Sequence, residues 1–379
     1  MAYITLGTIK KKYIAYPILG IIVLIINNFF TFKTSFLKYL FKHPLIKIIN
    51  KSLGLSLSFI FYVIYIVKNN LEEKTYNKEY IKKLIKIKHK KYYFLLISTL
   101  IGFIYNLLYC IFGSFNDGKF FSLWIFDIIY ISIFSYFILK LKLYKHRYFS
   151  IIIFIILAII SNVINTYDKE KNLPYLILLS LVESLFSLEF VIYKHMMDNL
   201  FCTTFEICFF RGLIGLFLSI ICLIICTNKN IEVGVIEYKG KKYLDNFYEY
   251  IDNFNIKEAF AFIFEAIYYL ISNLFFLLTI ESYTIFHIFI LLIFDEGNYF
   301  LNDFKDWKLY INILIYIFFL FMMLIFNENI ELNFCGLEKN TKKNIITRAS
   351  SKDNSNKMNV EDQILEIDNY TYKLDYEED

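Results

Sequence analysis

Apolar runs of about twenty residues recur along the chain, divided by short polar or basic segments. Each approaches the length a helix needs to cross the ~30 Å hydrocarbon core of a bilayer. The first, Tyr13–Phe32, follows Lys10, Lys11 and Lys12 and reads as a retained anchor, since no small-residue cleavage site follows it. Thr34–Ile49 mixes Phe, Leu and Ile with Lys38, Lys42 and Lys47, a pattern for an amphipathic helix at the interface. The second run, Ser52–Val67, is short; it can begin near Pro44 only by burying Lys47 and Lys51. Lys68–Lys91, with nine Lys and three Glu, predicts a loop. Further crossings are predicted at Tyr92–Phe112, Phe121–Leu139, Tyr148–Tyr167, Leu173–Tyr193, Phe205–Cys226, Glu258–Ile280 and Leu309–Phe326, with a polar loop at Asn228–Lys257. The ninth, Ser282–Phe294, has 13 residues and predicts a thin, tilted, broken or re-entrant helix. The pattern is therefore an all-α polytopic membrane fold of about ten crossings in residues 1–326. Residues 327–379, polar and ending in LDYEED, predict a disordered cytosolic tail.

Composition sharpens this picture. At 58% hydrophobic residues over 379 positions, no water-soluble globule could accommodate so many membrane-length runs. The 40 bases and 35 acids nearly balance, and the bases sit mainly at span ends, which argues against a nucleic-acid partner. In the first half the Lys/Arg bias is 16 against 8 and places both termini in the cytosol, with plasma membrane and endomembrane both open. The six cysteines form no CxxC and no zinc spacing; Cys222 and Cys226, one turn apart, read as buried free thiols, and Cys335 suits palmitoylation. No nucleotide-binding loop, metalloprotease or serine-hydrolase motif stands in the chain, so neither a cofactor nor enzymatic activity is expected.

Ionisable residues inside apolar helices carry the functional signal, because each costs ~2.5–3.5 kcal/mol at membrane depth unless it faces a bundle interior or an aqueous path. Asp127, Glu183 and Glu265 are the leading candidates. Spaced at ~100° per residue, Ser180, Glu183, Ser184 and Ser187 share one stripe of span six, with Glu189 opposite. Glu265, Tyr268, Tyr269 and Ser272 repeat that geometry in span eight, as do Tyr105 with Ser98 and Gly102 in span three and Tyr62 with Ser58 in span two. Small and hydroxylated residues on such stripes also serve helix packing. Arg211 is expected either to bind a ligand or to neutralise one of the three acids. Glu189 and Glu206, near span ends, read as interfacial side chains. His287, in the ninth span, is either a proton relay or a hydrogen-bonded core residue. The few mid-membrane cations favour a cationic or neutral substrate, or proton coupling.

Residues 124–164, WIFDIIYISIFSYFILKLKLYKHRYFSIIIFIILAIISNVI, resemble the fourth-to-fifth helix hairpin of the drug/metabolite transporter superfamily. Residues 282–326 are similar to that hairpin's second copy, and residues 180–218 resemble the entry to the second half in solute-carrier-35-like members. The mid-membrane Lys of nucleotide-sugar carriers is missing. The resemblance implies two inverted five-helix repeats, about 1–167 and 173–326, with spans one, three, six and eight lining a central cavity. It implies a secondary-active carrier of a small polar metabolite whose partners are the lipid bilayer, that small-molecule substrate, protons as coupling ions, and a second copy of the chain as a homodimer. The rival reading is a multispan scaffold or sensor acting through its cytosolic tail.

Overall fold

The computed structural model describes residues 18–24, 43–72, 78–114, 123–141, 145–166, 173–229, 236–282, 285 and 307–326. The predicted tail, His287, Cys335 and nearly all of the ninth span lie outside the described residues. Residues 18–24, within the first expected crossing, are helical. The helices that follow are α1 (Pro44–Ser56), α2 (Phe59–Glu72), α3 (Lys78–Ser114), α4 (Leu123–Ile138), α5 (Lys145–Thr166), α6 (Leu173–Leu200) and α7 (Thr204–Asn228). A two-stranded antiparallel hairpin comes next, β1 (Ile236–Tyr238) and β2 (Lys241–Tyr243), which pairs Ile236 with Tyr243. The short α8 (Phe247–Asp252), then α9 (Ile256–Ser282) and α10 (Trp307–Phe326), complete the described elements.

Among the described residues, four helical stretches are long and apolar enough to cross a membrane: Pro44–Val67, Lys90–Tyr109, Thr204–Asn228 and Ile256–Ser282. Shorter apolar helices stand at Phe126–Ile138 and Ile313–Phe326. Ile64, Phe137, Phe217, Phe260 and Leu314 project outward, a surface that suits lipid and not water. The chain is thus mostly helical and an integral membrane protein.

Several boundaries differ from the sequence pattern. Pro44–Val67 runs helically with a turn at Leu57–Ser58, so the second crossing starts early, and the described end of the expected interfacial helix is packed inside the protein. Pro44 fits the first helical turn, where its missing N–H is no loss. The expected loop at Lys68–Lys91 is helical from Lys78 onward, continuous with the third crossing. The polar loop Asn228–Lys257 contains the hairpin and α8, so among the described residues the fold is helical apart from these two strands.

Packing is organised around α1 and α6. Helix α1 lies between α7 and α9, and α6 packs on α3 and α4. Glycines set the closest approaches. A Cβ at Gly54 would stand 2.2 Å from Ala266 O, and one at Gly212 2.3 Å from Ser56 N. Small residues let membrane helices approach to backbone contact in this way. Helices α5 and α10 pair through Phe154 and Phe319, both buried, with ring centroids 4.6 Å apart.

A cleft over a buried Glu–Arg pair

Two buried charges, Glu189 on α6 and Arg211 on α7, face each other. Glu189 is 0% exposed and Arg211 7%. Arg211 Nε lies 2.9 Å from Glu189 Oε1, and Nη2 donates to Oε2 at 2.9 Å. Such a two-pronged contact matches the planar guanidinium to the carboxylate. The Tyr193 hydroxyl, one turn along α6, donates to the same Oε1. Arg211 Nη1 donates to Asn273 Oδ1 on α9 at 2.8 Å, and Asn273 Nδ2 donates to Tyr269 O at 2.9 Å. One charge pair therefore ties α6, α7 and α9 together.

Above it lies a cleft of about 310 Å³, its open mouth included. Its walls are Ile48, Lys51, Ser52 and Leu55 of α1, Thr99, Gly102, Phe103 and Asn106 of α3, Arg211 and Gly215 of α7, and Tyr269 of α9. All four membrane-length stretches contribute. The Lys51 ammonium lies 4.7 Å from the centroid of the Tyr269 ring. Asn106 Nδ2 donates to Gly102 O and Thr99 Oγ1 to Leu95 O, so both side chains fold back on their own helix.

A second polar cluster occupies another flank of α6. Ser187 Oγ donates to Asp127 Oδ1 at 2.9 Å and to Asp127 O at 3.3 Å, joining α6 to α4. The Tyr105 hydroxyl of α3 reaches Glu183 Oε2 at 3.5 Å. Asp127, Glu183 and Ser187 are all buried. At ~100° per residue, Thr99, Gly102 and Asn106 turn one flank of α3 to the cleft while Tyr105 turns the next toward Glu183. Helix α3 is the common wall of both sites.

The sequence candidates thus divide. Asp127, Glu183, Ser187 and Tyr105 come together at the α3–α4–α6 junction, while Arg211 and Tyr269 meet at the cleft. Glu265 is buried on α9, and its Oε2 finds no hydrogen-bond partner among the described residues. Tyr268 packs against the core, and Tyr62 stacks with Phe209 at 5.8 Å between ring centroids. The Ser180 and Ser184 hydroxyls donate to the carbonyls of Ile177 and Leu181 in their own helix. Of the spans expected to line a cavity, three and eight do so; two and seven supply the other walls, and six supplies Glu189 beneath.

Two expectations for the acids are corrected. Glu189 is not interfacial, because α6 continues past Tyr193 to Leu200 and places it well inside the helix. Arg211 pairs with Glu189, not with Asp127, Glu183 or Glu265. Glu206 does lie in the first turn of α7, yet it is buried and paired with Lys91 Nζ at 2.5 Å. Cys222 and Cys226, expected to be buried, are free thiols but only half-buried, while the free thiols of Cys202 and Cys208 are buried.

The chain pattern gave no warning of one further cluster, at the N-terminus of α1. Buried His43 places Nδ1 2.7 Å from Asp245 Oδ1 and Nε2 2.7 Å from Glu249 Oε2. Asp245 Oδ2 accepts from the backbone N–H groups of Leu45 and Ile46, at 2.7 and 3.1 Å. A carboxylate there satisfies orphan donors and the positive end of the helix dipole. Tyr250 meets His43 edge-on at 5.1 Å and packs with Leu45, Ile46, Ile48 and Leu223. Burial, with the nearby Glu258 and Asp245 carboxylates, pushes the Tyr250 hydroxyl up to about 12. The segment after α7 is thereby docked onto the bundle beside Ile48 and Phe103, two of the cleft walls.

Among the described residues, no group of three or more His, Cys, Asp or Glu is placed to hold a metal ion. Compared with known protein families and with curated proteins, the chain matches none.

Proposed function

We propose that the chain is a secondary-active transporter that moves a small polar metabolite by alternating access. The observation that supports this reading is the cleft, to which four membrane-length stretches each lend side chains above a buried Glu189–Arg211 pair. A polar hollow at a helix junction is where secondary carriers hold substrate. On this reading ten crossings form two inverted five-helix repeats, as the likeness of residues 124–164 and 282–326 to the drug/metabolite transporter hairpins implies, and both termini are cytosolic. Asp127 and Glu183, joined to the cleft through α3, serve as proton-coupling groups. Arg211 and Tyr269 face the substrate.

Reconstituted vesicles test the reading with a panel of radiolabelled carboxylates, amines and sugars. At least one is expected to accumulate, and Glu183→Gln is expected to abolish that accumulation while thermal unfolding stays near wild type. Accumulation unchanged in both Glu183→Gln and Glu265→Gln removes the acids from the mechanism, and no accumulation of any probe removes the carrier reading.

A further inference from the structure

The charge and donor balance of the cleft identifies the class of molecule it takes. Resting on the carrier reading above, we infer that the cleft is an anion site for a small monocarboxylate with a short apolar body. A guanidinium has five N–H donors. Arg211 spends Nε–H and one Nη2–H on Glu189, and one Nη1–H on Asn273. One N–H on each Nη is left over on a side chain that is 7% exposed and lines the cleft.

Ser52 adds a hydroxyl that makes no hydrogen bond among the described residues. It sits in the cleft wall, within 2.9 Å of where a Gly215 Cβ would stand. Absence of a side chain at Gly215 keeps that hydroxyl uncovered. Lys51 brings a second cation to the same hollow, stacked on Tyr269. Glu189, the acid bonded to Arg211, is already bound through both of its oxygens. Donors lining a half-enclosed space where Lys51 adds positive charge beyond the Glu189–Arg211 pair favour an anion, and a carboxylate oxygen is the acceptor that such donors hold best.

Size and lining set the remainder. The cleft, about 310 Å³ with its open mouth included, is too small to enclose a nucleotide and takes only a small group. Ile48, Leu55 and Phe103 give the body of that molecule an apolar wall. This departs from the expectation of a cationic or neutral substrate, because Asp127 and Glu183 lie across α3 from the cleft, Glu189 is occupied by Arg211, and Glu265 is not among the cleft walls.

The test uses the full chain in lipid nanodiscs with lactate, 1-aminopropan-2-ol and propane-1,2-diol, molecules of similar size that differ in charge. At constant ionic strength, lactate is expected to raise the unfolding temperature saturably and the other two are not. Lys51→Gln and Ser52→Ala, neither of which unpairs Glu189, are each expected to weaken lactate binding about tenfold or more. Equal stabilisation by the amine or the diol overturns the inference, as does lactate binding unchanged in both variants or no lactate binding. Uptake into vesicles, corrected with protein-free vesicles, separates this from the carrier reading. Lactate binding without uptake of any probe overturns the carrier reading alone, and uptake of an amine without lactate binding overturns the anion site alone.

Discussion

The Glu189 carboxylate lies against the backbone of α3 at Gly102, where a Cβ would stand 2.0 Å from Oε1 and 2.8 Å from Oε2. Only a residue without a side chain leaves that carboxylate its place, because Arg211 and Tyr193 fix it from the other side.

Gly102→Ala is therefore expected to destabilise the protein. In a helix interior the change would ordinarily gain up to about 1 kcal/mol of propensity. Overlap with a carboxylate that cannot retreat costs about 1–3 kcal/mol, which outweighs that gain. Thermal unfolding in detergent reads the sign directly, and a gain in stability would show that the carboxylate moves freely.

Breaking the pair from one side is expected to be worse than removing both charges. Arg211→Met or Glu189→Gln alone should cost about 3–5 kcal/mol, since each leaves a buried partner uncompensated, while the double variant should recover a large part. A double-mutant cycle of unfolding free energies measures the coupling. Additive losses would mean that the pair is not coupled.

A mostly helical chain with several membrane-length apolar helices was legible in the sequence because length and apolarity alone decide it, and Asp127 with Ser187 fell on faces that do meet. Lysines produced the errors. Span six was expected to end at Tyr193, just before Lys194, yet the Lys194 Nζ donates to Ile280 O at 3.0 Å and lies 3.0 Å from Asp198, one turn away. With those partners the helix carries on, and Glu189 moves from its edge to its interior. Lys51 misled in the same way: its ammonium rests on Tyr269, so the helix need not start after it. His43 and Asp245 are about two hundred positions apart, and no periodicity links residues so distant.

Asp245→Ala is expected to release the segment that follows α7. The carboxylate accepts from His43, Leu45 N, Ile46 N and Asn246 N. Bonds to a charged group are worth about 1.5–3 kcal/mol each, with partial loss on relaxation. Limited proteolysis should show new cleavage between residues 229 and 255; protection equal to wild type would mean that the apolar contacts of Tyr250 hold the segment alone.

The same segment should respond to alkali. An exposed tyrosine in the unfolded chain titrates near ~10, whereas Tyr250 in the fold is pushed up to about 12. A group raised by folding contributes stability that is complete below the unfolded value and is lost as pH rises through the folded one. Docking should thus hold up to about pH 10 and weaken toward about pH 12. Tyr250→Phe keeps the ring against His43 and should remove that step in proteolysis with an alkaline protease.

Helix α3 runs without a break for 37 residues, about 55 Å at 1.5 Å per residue, against the ~30 Å of a bilayer core. Its lysine-rich N-terminal turns and the Gly102–Asn106 wall of the cleft are consequently parts of one stiff rod. The basic end and the cleft wall therefore share one hydrogen-bonded backbone, and a tilt of the helix moves both.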